Sequence, residues 1–232
     1  MSTRLPHDLS ALDELGRLST FDSALLDRAP DPELQALVTA ASTLSGFPIA
    51  LVSLVARQIQ FFRAQVGLPA DLAVARATDR CTSFCQFVVA SDQCLLIEDA
   101  TREPGLPKDL VERYGIRAYA GFPLRVMGRT VGAFCIIDAQ PRRLEPTVVG
   151  QLKALARKAS ARLEALARQV PTAQVCSGPE QKAHRAWLAV AEAQPLLYLS
   201  EQFASGKLSL EEFQRGMGAL SGLLGTGASS AF

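Results

Sequence analysis

Between residues 49 and 137 the chain carries short extended runs of apolar, β-branched and aromatic residues, whereas on both flanks apolar residues recur at steps of three and four. Side chains alternate faces along a strand and return to one face every three or four residues along a helix, so this change of period separates a sheet from helical flanks. Ile49–Val55 is a β-branched run suited to a strand buried on both faces. Arg57-Gln58 predicts a turn into a partner strand over Gln60–Val66, and Leu95–Ile97 predicts a third strand. Ile116–Val126 and Thr130–Ile137, turning at Met127-Gly128-Arg129, complete the sheet as an antiparallel hairpin. The fold class expected is α+β.

The helical signals are equally local. Leu12, Leu15, Leu18, Phe21 and Leu25 predict a partly helical arm within residues 1–29. Asp31-Pro32-Glu33 predicts a helix start, Leu34, Leu37, Val38, Ala41 and Leu44 its buried stripe, and Gly46 its end. Residues 68–80 read as polar and irregular, Thr82–Ala90 and Lys108–Tyr114 as short helices, and Asp99–Pro107 as a loop. A long helix over about 145–170 carries Val148, Leu152, Leu155, Ala159, Leu163 and Leu166, a stripe too long for a small sheet alone. Residues 171–179 have linker composition, 180–224 predict helices separated at Pro195 and Gly206, and 225–232 are expected to fray. Ser209 and Glu212 have the spacing of a capping box.

Hydrophobic residues at 48% and charged residues at 20% belong to an ordinary globular chain of 232 residues, enough for one full domain with an extension. A formal net charge of +1 recruits neither nucleic acid nor an anionic membrane. MSTRLPHDLS lacks the apolar stretch of ~7 to 15 residues of a signal peptide, so a cytoplasmic location is expected. Cys81, Cys85, Cys94, Cys135 and Cys176 lack the paired spacing of a zinc site.

Local strings in the same order resemble the GAF domain. Pro48–Val55 (PIALVSLV), Ser83-Phe84-Cys85, Glu98-Asp99-Ala100, Gly115–Leu124 (GIRAYAGFPL) and Gly132–Asp138 (GAFCIID) follow one another within residues 48–138. The resemblance implies a GAF-like, profilin/PAS-related antiparallel sheet flanked by helices over 30–170, with a C-terminal helical extension. It also implies a pocket between sheet and short helices, for which Phe62, Phe84, Cys85, Phe87, Tyr119 and Phe134 are the candidates. Gly121 is expected to supply a backbone that only glycine holds easily, and Gly132 space for a neighbour. Two features depart from the family: Gln86 and Phe87 stand where many relatives carry histidine, and residues 102–106 replace a common D-P-R-F loop.

His7 and His184 are the only histidines and lie outside this region, which argues against histidine-held haem, zinc or iron and against a Cys-His bilin site. No cofactor or metal is expected. The absence of asparagine rules out the N-K-F-D signature of cyclic-nucleotide-binding relatives. Phosphate-loop, kinase and nucleophile-elbow motifs are missing too. The function expected is therefore a non-catalytic signalling module that dimerises through helices and docks a protein partner through its C-terminal helices. Leu12, Leu15, Leu18, Leu152, Leu155, Ala159, Leu163, Leu166, Phe213 and Met217 are the expected interface. The alternatives are a sensor of a nucleotide or metabolite, and a thiol enzyme resembling free methionine sulfoxide reductases, which needs an activated thiolate among Cys81, Cys85, Cys94 and Cys135.

Overall fold

The computed structural model describes residues 5–169 and 179–225. Its strands are β1 (Ile49–Val55), β2 (Ile59–Val66), β3 (Ala77–Asp79), β4 (Leu95–Ile97), β5 (Ala118–Val126) and β6 (Arg129–Asp138). They form one 6-stranded antiparallel sheet in the order β3-β2-β1-β6-β5-β4. Met127 and Gly128, with φ of 50° and 74°, make the β5–β6 connection, the left-handed pair that matches strand twist in a two-residue hairpin. Gly132 lies opposite Leu54, and a Cβ there would run into the Ser53 carbonyl, so this glycine permits the approach of β1 to β6. Gly121 differs from its expected role. Its φ is not left-handed; it leaves room for the Tyr119 ring, which a Cβ would strike.

The sheet is covered on both faces. On one lie α2 (Pro32–Ser45) and α6 (Pro146–Gln169), which pack on β1, β2 and β5 and on each other. Asp31 caps α2 by accepting the Leu34 N–H at 2.9 Å and pairs with Arg162 of α6 at 2.8 Å, so one carboxylate joins both helices. On the other face lie α3 (Ala70–Ala75), α4 (Cys85–Ser91) and α5 (Asp109–Tyr114). The stretch 68–80 is thus not irregular: it holds α3 and the edge strand β3.

The N-terminal segment is not a one-faced arm. A 3-10 turn at Ser10–Asp13 and a single helical turn, α1 (Leu15–Leu18), send Leu12 into the core under α4 and Leu18, Phe21 and Leu25 into the opposite core. Beyond the sheet come α7 (Pro179–Ala204), α8 (Leu210–Ala219) and α9 (Ser221–Gly225). The expected linker, apart from residue 179, and the tail after 225 lie outside the described residues. Pro195 does not separate two helices but sits inside α7, where it forfeits one backbone hydrogen bond. Burial of Leu188, Glu192 and Leu199 around it holds α7 in place. The capping box at Ser209 and Glu212 is present as expected.

The C-terminal helices are docked rather than free. Glu192 of α7 is buried and accepts the Gln58 N–H at 2.7 Å, closing the β1–β2 turn. Arg28 lies over the Tyr198 ring at 3.7 Å. Burial raises the Glu192 carboxyl above its ordinary range, partly offset by backbone N–H groups of Gln58, Arg57 and Ile59. A raised folded-state value means this group favours folding at low pH and penalises it as pH rises through that value. Glu192→Gln, which keeps an acceptor without the charge, should be at least as stable as the parent at pH 7 in urea unfolding, with its advantage shrinking toward pH ~4.5. Glu192→Ala should cost about 1–3 kcal/mol by leaving the turn N–H groups unpaired. A Gln variant weakened more at pH 7 than at low pH would contradict this.

Candidate functional site

Strand alternation decides what can face the layer of α3, α4 and α5. Leu51 of β1, Phe62 of β2, Tyr119 of β5 and Ala133, Cys135 and Ile137 of β6 point toward it, meeting Leu72, Phe84, Cys85, Phe87, Val88 and Leu110. The pocket candidates Phe62, Phe84, Cys85, Phe87 and Tyr119 therefore come together, each at most 6% exposed. Phe134 does not belong with them. As the neighbour of Ala133 and Cys135 it points to the opposite face, among α2 and α6 side chains, because consecutive strand residues cannot share a face.

At the centre of this layer the Cys85 and Cys135 sulfurs are 3.8 Å apart. Cys85 Sγ accepts from the Tyr119 hydroxyl at 3.2 Å and from Gln60 Nε2 at 3.4 Å, while Thr78 donates to Gln60 Oε1 at 3.5 Å. Phe84 meets Tyr119 edge to face with centroids 5.5 Å apart. Burial pushes the Cys85 thiol up, but hydrogen bonds from Cys135 and Tyr119 outweigh it and bring it down to about 7. Cys135 is pushed well up, by burial first and then by its hydrogen bond to Cys85. Burial also raises the Cys81 and Cys94 thiols. Cys176 lies outside the described residues.

One flank of the layer is closed by the C-terminal helices. Asp71 of α3 is fully buried, accepts the Tyr114 hydroxyl at 2.6 Å and faces Arg215 Nε of α8 at 3.5 Å, with its Oδ1 unpartnered. Asp79 of β3 accepts the Gly222 N–H of α9 at 2.6 Å, and Ala219 is buried in the core of the same layer. These acids carry no signal in the sequence, since the stretch holding them reads as irregular. The loop after β4 forms a surface groove of about 430 Å³ between residues 100 and 112, where Arg102 and Lys108 alternate with Glu103 and Glu112.

The expected interface residues are mostly consumed inside the chain. Leu152, Ala159 and Leu163 of α6 are fully buried, Leu12 and Leu18 nearly so, and Leu155, Leu166, Phe213 and Met217 pack partly buried on the α2/α6 core. Only Leu15 of that set is exposed, at 48%. The α6 stripe runs along β5 and α2, which cover it. Exposed large apolar side chains instead cluster on α7–α9: Val190, Leu197, Tyr198, Phe203, Leu210 and Leu224. Among the described residues no helix is long and apolar enough to cross a membrane, and no cluster of three or more His, Cys, Asp or Glu side chains is placed to hold a metal ion.

Comparison with known proteins matches this architecture. The chain is 35% identical over 160 residues to a protein of Pseudomonas aeruginosa named as a cyclic di-GMP phosphodiesterase, an alignment covering 66% of this chain. The chain spans only 26% of that protein's length. In fold it resembles a GAF domain/HD domain protein from Geobacter sulfurreducens, with 16% identity and a TM-score of 0.50 over 64% of this chain and 98% of that one. It also resembles a domain described as that of a two-component sensor histidine kinase from Sinorhizobium meliloti, with 18% identity and a TM-score of 0.50 over 62% of this chain and 97% of that one. The sequence model of the GAF domain matches residues 29–163, more than half of the chain, and the protein belongs to the GAF domain family.

Proposed function

We propose that this chain is a cytoplasmic, non-catalytic regulatory module in which a GAF unit over 30–170 and a helical extension over 180–224 act as one body. GAF domains are signalling modules, and the observation that carries the finer reading is the filled layer between sheet and short helices. Phe62, Phe84, Phe87 and Tyr119 occupy that layer, and α8–α9 close its flank. A packed interior leaves surface contacts as the route of output. The kinship to a named cyclic di-GMP phosphodiesterase supports a role in controlling such an activity rather than in performing it, since the shared segment is a minor part of that protein.

The surface favoured for output is the outer side of α7. Ala186, Val190, Ala193, Leu197 and Ala204 are exposed there, the first four separated by steps of four, three and four, the spacing of a helix-pairing seam. Exposed Lys182 and Arg185 flank one end and exposed Glu201 the other, so two copies running antiparallel bring opposite charges together. The helix-mediated dimer thus moves from α6 to α7, with Ala193 small enough for close approach.

Sedimentation should give a dimer, and Leu197→Glu should shift it to the 24.9 kDa monomer while the far-UV circular dichroism stays that of the folded parent. A parent chain that stays monomeric at high concentration would contradict the dimer. Phe84→Ala tests the filled layer separately: it should cost about 3–5 kcal/mol in urea unfolding, as truncation of a packed core aromatic does. A cost below about 1 kcal/mol would mean that the ring merely borders open space.

A further inference from the structure

The sulfurs of Cys85 and Cys135 meet across two elements, the first residue of α4 and the middle of β6, at 3.8 Å. They are surrounded by polar groups in an otherwise apolar layer: the Tyr119 hydroxyl, the Gln60 amide and the buried Ser53 on the same face of the sheet. A pair held only for packing needs no such donors, because thiols serve well as small apolar groups. Donors aimed at a sulfur instead stabilise charge on it. We propose that Cys85 and Cys135 form a reversible oxidation site, in which a small hydroperoxide converts the two thiols into a disulfide that ties α4 to the central strand.

The step balances with the hydroperoxide as the only co-reactant. The Cys85 sulfur, as thiolate, attacks the terminal peroxide oxygen; an S–O bond forms, the O–O bond breaks, and the released oxygen leaves as an alcohol, or as water from hydrogen peroxide, with the thiol's proton. Cys85 is then a sulfenic acid. The Cys135 sulfur gives up its proton and attacks the Cys85 sulfur; the S–S bond forms, the S–O bond breaks, and hydroxide departs with that proton as water. Two thiols are oxidised and one peroxide is reduced. The sulfurs need to close from 3.8 Å to about 2.05 Å, a movement of side chains already facing each other.

The order of acidity fits. Cys85 is the thiol brought down to about 7, whereas Cys81, though exposed, and Cys94 are held up by burial of their sulfurs. Exposure and nucleophilicity therefore point to different cysteines, and the outcome discriminates between them. The proposal goes beyond the module described above by naming an input, and it does not depend on the α7 dimer.

The test is a hydrogen peroxide titration of the reduced, native full chain, followed by alkylation, digestion and peptide mapping. The expected result is a loss of about 2 Da, a Cys85–Cys135 linked peptide, loss of alkylation at both positions and recovery of both with dithiothreitol. Cys81→Ser and Cys94→Ser should behave as the parent, and Cys135→Ser should give no linked peptide. In denaturant, where the two sulfurs are no longer juxtaposed, selectivity for this pair should vanish. Oxidation at Cys81 while Cys85 and Cys135 still take the alkylating agent would overturn the proposal. So would arrest of Cys85 at a sulfinic acid without the link. The parent's own peptide map decides the matter even if a serine variant fails to fold.

Discussion

The described residues are arranged around β6, which pairs with β1 and β5 along its two edges and is covered by helices on both faces. Ala133, Cys135 and Ile137 enter one core and Phe134 and Ile136 the other, so a shift of one residue would exchange the two sets. Gly132 lets β1 lie directly beside it, and the tight turn at Met127-Gly128 sets its pairing with β5. Once that register is set, α2 and α6 can cover one face while the short helices cover the other. The Asp31–Arg162 pair locks the first layer; the C-terminal helices close the second.

The sequence revealed most where physical signals are local. Strand runs, the Asp31 cap, the Met127-Gly128 turn and the Ser209 capping box depend on residues within a few positions of one another, and the structure has them. It revealed least where long-range contact decides. β3 is only three residues long and owes its extended form to pairing with β2, and α3 is held by packing against α7 and α8. Pro195 argues locally for a break, but flanking buried residues keep α7 continuous. Phe134 is a different case, since the period of β6 alone gives it the wrong parity to share a pocket with residues facing the short helices.

The interface shows a more general limit. A helical stripe such as that of α6 says that a face will be buried but not by what. In this chain β5 and α2 bury it, and the apolar face left over is on α7, a helix whose sequence is apolar on more than one side. Burial of the acids Asp71 and Asp79 beneath α8–α9 was equally hidden, because Tyr114 and Arg215 reach Asp71, and Gly222 reaches Asp79, from segments distant in the chain. The extension is thereby packed against the GAF unit as part of the folded body.

In the function proposed above, the protein's own side chains fill the layer between the sheet and the short helices. A native mass spectrum of freshly purified protein tests it most directly. The expected species lie at the mass of the chain alone, 24.9 kDa, or its multiple, with no added mass. A stoichiometric adduct of small-molecule size that is lost on unfolding would contradict it and would make the layer a ligand site.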